Sequence, residues 1–334
     1  MKKNDPDILK INKISIPRSK RVQLNLPAGS LFDYTEVGIP VEVLRGSKPG
    51  PTIFISAAIH GDEINGVEVV RRLSKKLNYK NISGTVFLIP VVNVFGFNNK
   101  SRYLPDRRDL NRCFPGSKSG SLAGQMASTF MHEVVRHCQY GIDIHTGAIH
   151  RSNMPQIRAK IDDEETKKLI QVFGAPIAVH SNLRDGSLRE AARKKGVKTL
   201  LFEGGEALRF DEQAIKLCTK GCLAIMSEIG ILSKKTKVKS EKCFFAYSSY
   251  WERAPHSGII SFRKKLGDKV TEGELLATVS DLFGSNSHEI VSNLPGVIIG
   301  KTQIPLIKKG DAVLHIATLD ELKGYKNQVF EELT

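Results

Sequence analysis

The chain has 334 residues, 40% hydrophobic and 25% charged, with 50 Lys and Arg against 35 Asp and Glu for a formal charge of +15. That length is enough for one large or two medium domains, and the longest apolar runs, such as Thr85 to Val92, are far too short to span a bilayer. The lysines are scattered or in short clusters with no nucleic-acid-binding motif beside them, so we read no nucleic-acid partner and a solvated lysine surface.

The opening MKKNDPDILKINK is basic but lacks the apolar run and small-residue cleavage site of a signal peptide. Residues 1 to 50 give short alternating segments, Val22 to Leu26 and Val41 to Leu44, which read as edge strands. Thr52 to Ile59 is a run of small, apolar and β-branched residues, the pattern of a strand buried on both faces. It stops at His60-Gly61-Asp62-Glu63, after which Ile64, Val67, Val70, Leu73 and Leu77 recur at helical spacing. Strand, polar turn and helix put that turn at the carboxyl edge of a sheet, where α/β proteins keep their ligand sites. His60 and Glu63 are three apart and share one side of a helical turn, half of a zinc site. A lone His-x-x-Glu is a weak signal; the rest of the chain must supply the weight.

Gly84 to Asn93 supplies a second apolar strand, followed by a long loop from about Val94 to Gly120. Loops of that length inside a compact domain are usually functional or disordered, and this one carries Arg102, Arg107, Arg108, Asp109, Asn111 and Arg112. A helix is expected from Leu122 to Cys138, then a strand ending in Asp143-Ile144-His145-Thr146-Gly147. Strand and helix signals continue through Ala175 to His180 and Leu188 to Lys195, then a strand from Val197 to Phe202 closes on Glu203-Gly204-Gly205-Glu206. A helix from Asp211 to Ile229 follows. Alternating strands and helices predict an α/β sheet, mostly parallel and covered on both faces. Five cysteines, Cys113, Cys138, Cys218, Cys222 and Cys243, show no Cys-x-x-Cys pair and read as reduced thiols of a cytoplasmic protein.

After Leu232 the stretch SKKTKVKSEK reads as a linker. Short strands and Gly turns then recur, at Gly258, Gly267, Gly273, Gly296 and Gly310, predicting a smaller all-β region. We therefore expect two domains, 1–235 and 243–334.

Three polar signals stand at the ends of three predicted strands: His60 with Glu63, His145, and Glu203. Strand ends on one edge of a parallel sheet converge in space. Two histidines and a carboxylate with an open fourth position make a catalytic zinc site. A carboxylate that is not a ligand is then needed to accept a proton, and Glu203, directly after its strand, is preferred to Glu206. Asp143 could orient His145, and Asp62 could orient His60 or face water.

HGDE, RRDLNRCFPG, DIHTG and FEGGE, in that order, resemble the succinylglutamate desuccinylase and aspartoacylase family, zinc amidohydrolases related to the metallocarboxypeptidases. The resemblance covers about residues 40 to 320. It implies a zinc-carboxypeptidase-like mixed sheet flanked by helices, and one zinc per chain bound by His60, Glu63 and His145, with Glu203 as general base and acid. Asn111 and Arg112 match the pair that holds a substrate carboxylate. An upstream arginine polarises the scissile carbonyl; Arg102 is the first choice and Arg108 the second. The C-terminal segments APHSGII, LGDKVTEGELLATV, NLPGVI and KKGDAVLHI resemble the barrel-sandwich hybrid of lipoyl and biotinyl carriers. The hairpin stretch Ser280 to Ser285 holds no lysine to modify, so covalent carriage is not expected; the resemblance to the related deacylases implies a shielding or specificity role over the cleft.

The expected function is hydrolysis of the amide of a small anionic N-acyl amino acid, by a chain that does not enter membranes and for which self-association stays open. A metallocarboxypeptidase acting on short peptides is the second reading, and a non-catalytic binding module the third.

Overall fold

The computed structural model describes residues 8–233 and 243–318. Its frame is a mixed sheet of thirteen strands among the described residues. Four neighbouring parallel strands form its centre, in the order Lys198–Glu206, Tyr140–Gly147, Lys48–Ala57 and Ser83–Ile89. These are the apolar runs of the sequence, buried because helices cover both faces. Side chains alternate between the faces: Ile53 and Ile55 enter a core with the helices Asn65–Lys76, Glu164–Phe173 and Glu212–Glu228. Phe54, between them, enters the opposite core beside the helix Leu122–Glu133, edge-on to Phe130 with ring centroids 6.0 Å apart.

On one flank the sheet continues antiparallel through Glu36–Arg45 and Lys20–Ser30, the expected edge strands. The opposite flank was not foreseen. Arg151–Ala159 runs antiparallel to the Glu203 strand, and beyond it Gly296–Thr302, Ala312–Thr318 and Ser248–Arg253 extend the same sheet. Parallel pairing is thus confined to the centre and to the short strands Ile177–His180 and Phe244–Ala246. Pro155 and the polar run before it hide the strand Arg151–Ala159 from a reading by alternation. The rest of the C-terminal region is a four-stranded antiparallel sheet, so the predicted all-β region stands, hydrogen-bonded to the first sheet through Gly300 and Asn153. The linker expected at 233–242 lies, except for Ser233, outside the described residues.

Other differences are local. The loop from Val94 to Gly120 contains a short helix, Val94–Asn98, capped by the Asn93 side chain, and a 3-10 turn, Leu110–Arg112, capped by Asp109. The helix expected to reach Cys138 ends at Glu133, where the β-branched pair Val134-Val135 gives way to a 3-10 turn. No described helix is long and apolar enough to cross a membrane.

Candidate active site

The central strands end side by side, with His145 and Glu203 in the last residues of theirs and His60 and Glu63 in the turn after Ala57. Glu203 stands opposite His145 in the ladder, and Ala57 opposite Ile144. Just past Ala57 the backbone is strained: Ala58 has φ of 48°, a left-handed conformation that non-glycine residues avoid. Gly66, in the first turn of the next helix, has no room for a side chain; a Cβ there would lie 2.6 Å from that of Ala57 and 2.9 Å from that of Ile144. This close seating holds the His60–Glu63 turn against the sheet edge. Asn65 secures it further, donating to the Gly204 carbonyl at 3.0 Å and accepting from the Asp211 amide at 3.0 Å.

His60, Glu63 and His145 are all buried, with donor atoms within 4.8 Å of one another. His60 Nδ1 lies 2.6 Å from Glu63 Oε1, and His145 Nδ1 lies 2.7 Å from Glu63 Oε2. Each imidazole turns its other nitrogen to a different carboxylate. His145 Nε2 is 2.8 Å from Asp143, itself held by the Ser56 hydroxyl at 2.8 Å, and His60 Nε2 is 3.2 Å from Asp109. Such outer carboxylates keep the proton on Nε2 and leave Nδ1 to face a cation. Asp143 therefore occupies the orienting position expected for it. At His60 that position belongs to Asp109, 49 residues away, and not to its neighbour Asp62.

The electrostatics of the cluster call for positive charge. Burial opposes ionisation of Glu63, yet His60 and His145 hold its carboxyl far below the usual range. Burial likewise opposes an imidazolium at His145, but Asp143 and Glu63 prevail and raise its pKa; at His60, Glu63 and Asp109 do the same. The carboxylates around the two imidazoles thus favour positive charge in the cluster, and buried nitrogen and carboxylate donors of this kind suit zinc.

His60, Glu63 and His145 line a cleft of about 480 Å³ that also receives Arg102, Asn111, Arg112 and Glu203. Arg102 donates to Asp109 at 2.8 Å and to Glu63 at 3.4 Å. Asn111 accepts from the Leu188 amide at 2.9 Å, and Arg112 donates to the Asn111 carbonyl at 2.6 Å. Arg108 is not brought to the cleft; it is exposed and lies 3.6 Å from Asp106. Glu203 Oε2 accepts from Asn153 at 2.7 Å, and Arg158 stands 3.8 Å from Oε1.

Sequence reasoning missed half of this cleft. Arg151, Arg158, Arg184 and Arg189 join Arg102 and Arg112 in its wall, as does Trp251 from the C-terminal region. Trp251 stacks on His315 at 4.4 Å between ring centroids, with the Arg151 guanidinium carbon 5.0 Å from its own. A signal existed for Arg184 and Arg189, in a polar stretch just before the Glu203 strand; none marked Trp251.

The succinylglutamate desuccinylase/aspartoacylase catalytic domain model matches residues 49–229, more than half of the chain. The N-alpha-acetyl-L-2,4-diaminobutyric acid deacetylase of Halomonas elongata is 25% identical over 301 residues, covering 86% of this chain and 88% of that protein. The product-bound ectoine utilization protein EutE from Ruegeria pomeroyi superposes with a TM-score of 0.82 at 25% identity, over 94% of this chain and 99% of that one. A succinylglutamate desuccinylase/aspartoacylase structure from Rhodobacter sphaeroides gives 0.82 at 21% identity, over 93% and 97%. The motifs around His60, Arg112, His145 and Glu203 lie inside the matched domain, and the chain belongs to the succinylglutamate desuccinylase/aspartoacylase family.

Proposed function

We propose that this chain is a zinc-dependent hydrolase that removes the acyl group from a small N-acyl amino acid. The observation that carries the reading is the buried His60, Glu63 and His145 donor set sharing one cleft with Glu203 and six arginines. The deacetylase relative from Halomonas elongata supports the reaction class.

His60 and His145 would hold the metal through Nδ1, and Glu63 through its carboxylate. Zinc, when bound, supplies Lewis acidity, which makes water easier to deprotonate and a carbonyl easier to attack. Asp109 and Asp143 keep the two imidazoles in the required tautomer. Glu203 takes a proton from the attacking water and passes it to the amide nitrogen as the carbon–nitrogen bond breaks, so water ends divided between acid and amine. Arg102, which reaches both Glu63 and Asp109, would polarise the scissile carbonyl. Asn111 and Arg112 would fix the free carboxylate beside the scissile nitrogen, a two-point contact that suits a guanidinium.

The test is a screen of N-acyl amino acids against their methyl esters and against short peptides with free C-termini, on protein assayed for metal. We expect amine release from an N-acyl amino acid, with the ester a poor substrate. Faster turnover of the peptides would instead assign a carboxypeptidase, and equal turnover of acid and ester would remove the carboxylate from the recognition.

A further inference from the structure

Glu203 sits at an irregularity in the sheet. Across its junction with the antiparallel strand Arg151–Ala159, Glu203 pairs with Gln156 but Gly205 pairs with Asn153, so the register slips by one residue. Bulges of this kind re-aim side chains next to functional sites. Asn153 is flanked in the sheet by two glycines, Gly205 on one side and Gly300 on the other. Gly300 leaves needed room: a Cβ there would lie 3.0 Å from Asn153 Oδ1 and 3.1 Å from the His315 Cβ. In that space the Asn153 amide donates to Glu203 Oε2 at 2.7 Å. Oε1 receives no hydrogen bond among the described residues, since Arg158 at 3.8 Å is beyond hydrogen-bond reach.

We propose that Asn153 is a positioning residue for the general base. It fills one carboxylate oxygen of Glu203 and so presents the other, Oε1, to the proton that moves. Because Asn153 is itself held between the catalytic sheet and the strand Gly296–Thr302, the C-terminal region takes part in aiming the base. This rests on the deacylase reading for Glu203, and a misplacement of about 1 Å in such a group can cost about a hundredfold in rate.

Asn153→Leu keeps the volume and removes the donor; Asn153→Ser is made beside it, and scoring uses the variant that keeps native zinc content and melting temperature. We expect kcat to fall about 10- to 100-fold with KM within about twofold. In the Glu203→Gln background the same change should cost less than about twofold, because a residue acting only through Glu203 has nothing left to position. Gly300→Ala should lower kcat in the same direction by crowding the amide. A crystal structure of the Asn153 variant should show the Glu203 carboxylate turned from its native position. Native kcat, a rise in KM alone, or the same loss in the Glu203→Gln background would overturn the proposal. If the native protein released no amine from any N-acyl amino acid, that failure would fall on the deacylase reading. The position of Glu203 in the variant crystal would then decide this proposal, an unmoved carboxylate overturning it.

Discussion

The parallel centre of the sheet and its antiparallel C-terminal flank contribute to the cleft in different ways. Parallel strands all finish at one edge, so His145 and Glu203, in the last residues of their strands, and His60, just past the end of its own, gather without any long excursion of the chain. Antiparallel strands alternate in direction, and the flank contributes residues from within its strands, Asn153, Arg158 and Trp251, as walls and supports. The centre places donor atoms; the flank sets how they are aimed and what surrounds them. Substitutions in the centre should therefore abolish chemistry, and those in the flank should modulate it.

The largest effect should come from the centre. The His60→Ala/His145→Ala double variant removes both imidazoles that face Glu63. We expect loss of bound zinc, measured by elemental analysis, together with loss of all measurable hydrolysis. Full zinc occupancy in that variant would move the metal elsewhere.

Removing the part of the flank that lies after Lys242 should do less. A chain ending at Lys242 loses the strand that pairs with Arg151–Ala159, the Ile299 carbonyl that accepts from Gln156 at 3.0 Å, and Trp251. We expect a folded, zinc-loaded protein with kcat lowered as in the Asn153 variants, and with association through the exposed strand edge, seen by light scattering. An unfolded product would show that the two regions share one cooperative core.

The effect of Arg112→Met, which removes one guanidinium from a cleft that holds five others, should fall on binding and not on the chemical step. KM should rise about 10- to 100-fold, consistent with about 1.4–2.8 kcal/mol of lost carboxylate binding, with zinc unchanged. An unchanged KM would assign the carboxylate contact to another arginine.

The two regions also differed in what the sequence disclosed. The central strands were legible because burial on both faces demands near-continuous apolar runs, and their ends were legible because each apolar run stops at a polar motif, HGDE in a turn, DIHTG and FEGGE in the last residues of their strands. The strand Arg151–Ala159 was not, since Pro155 and its polar neighbours break the alternation that marks a strand. Asp109 as the partner of His60 was hidden for another reason: the contact spans 49 residues, whereas spacing arguments see only neighbours such as Asp62. Arg102 and Arg108 carry the same charge in the same loop, and only the folded path, which turns one toward Glu63 and the other toward Asp106, separates them.

Glu203→Gln offers the most direct test of the division between metal ligand and base, because it keeps the size of the side chain but cannot accept a proton. Zinc content and turnover would be measured on one preparation of that variant. We expect one zinc per chain in the variant and in the native protein alike, with kcat lowered about 10²- to 10⁴-fold in the variant. Loss of the metal together with activity would make Glu203 a ligand and contradict the role given to it here.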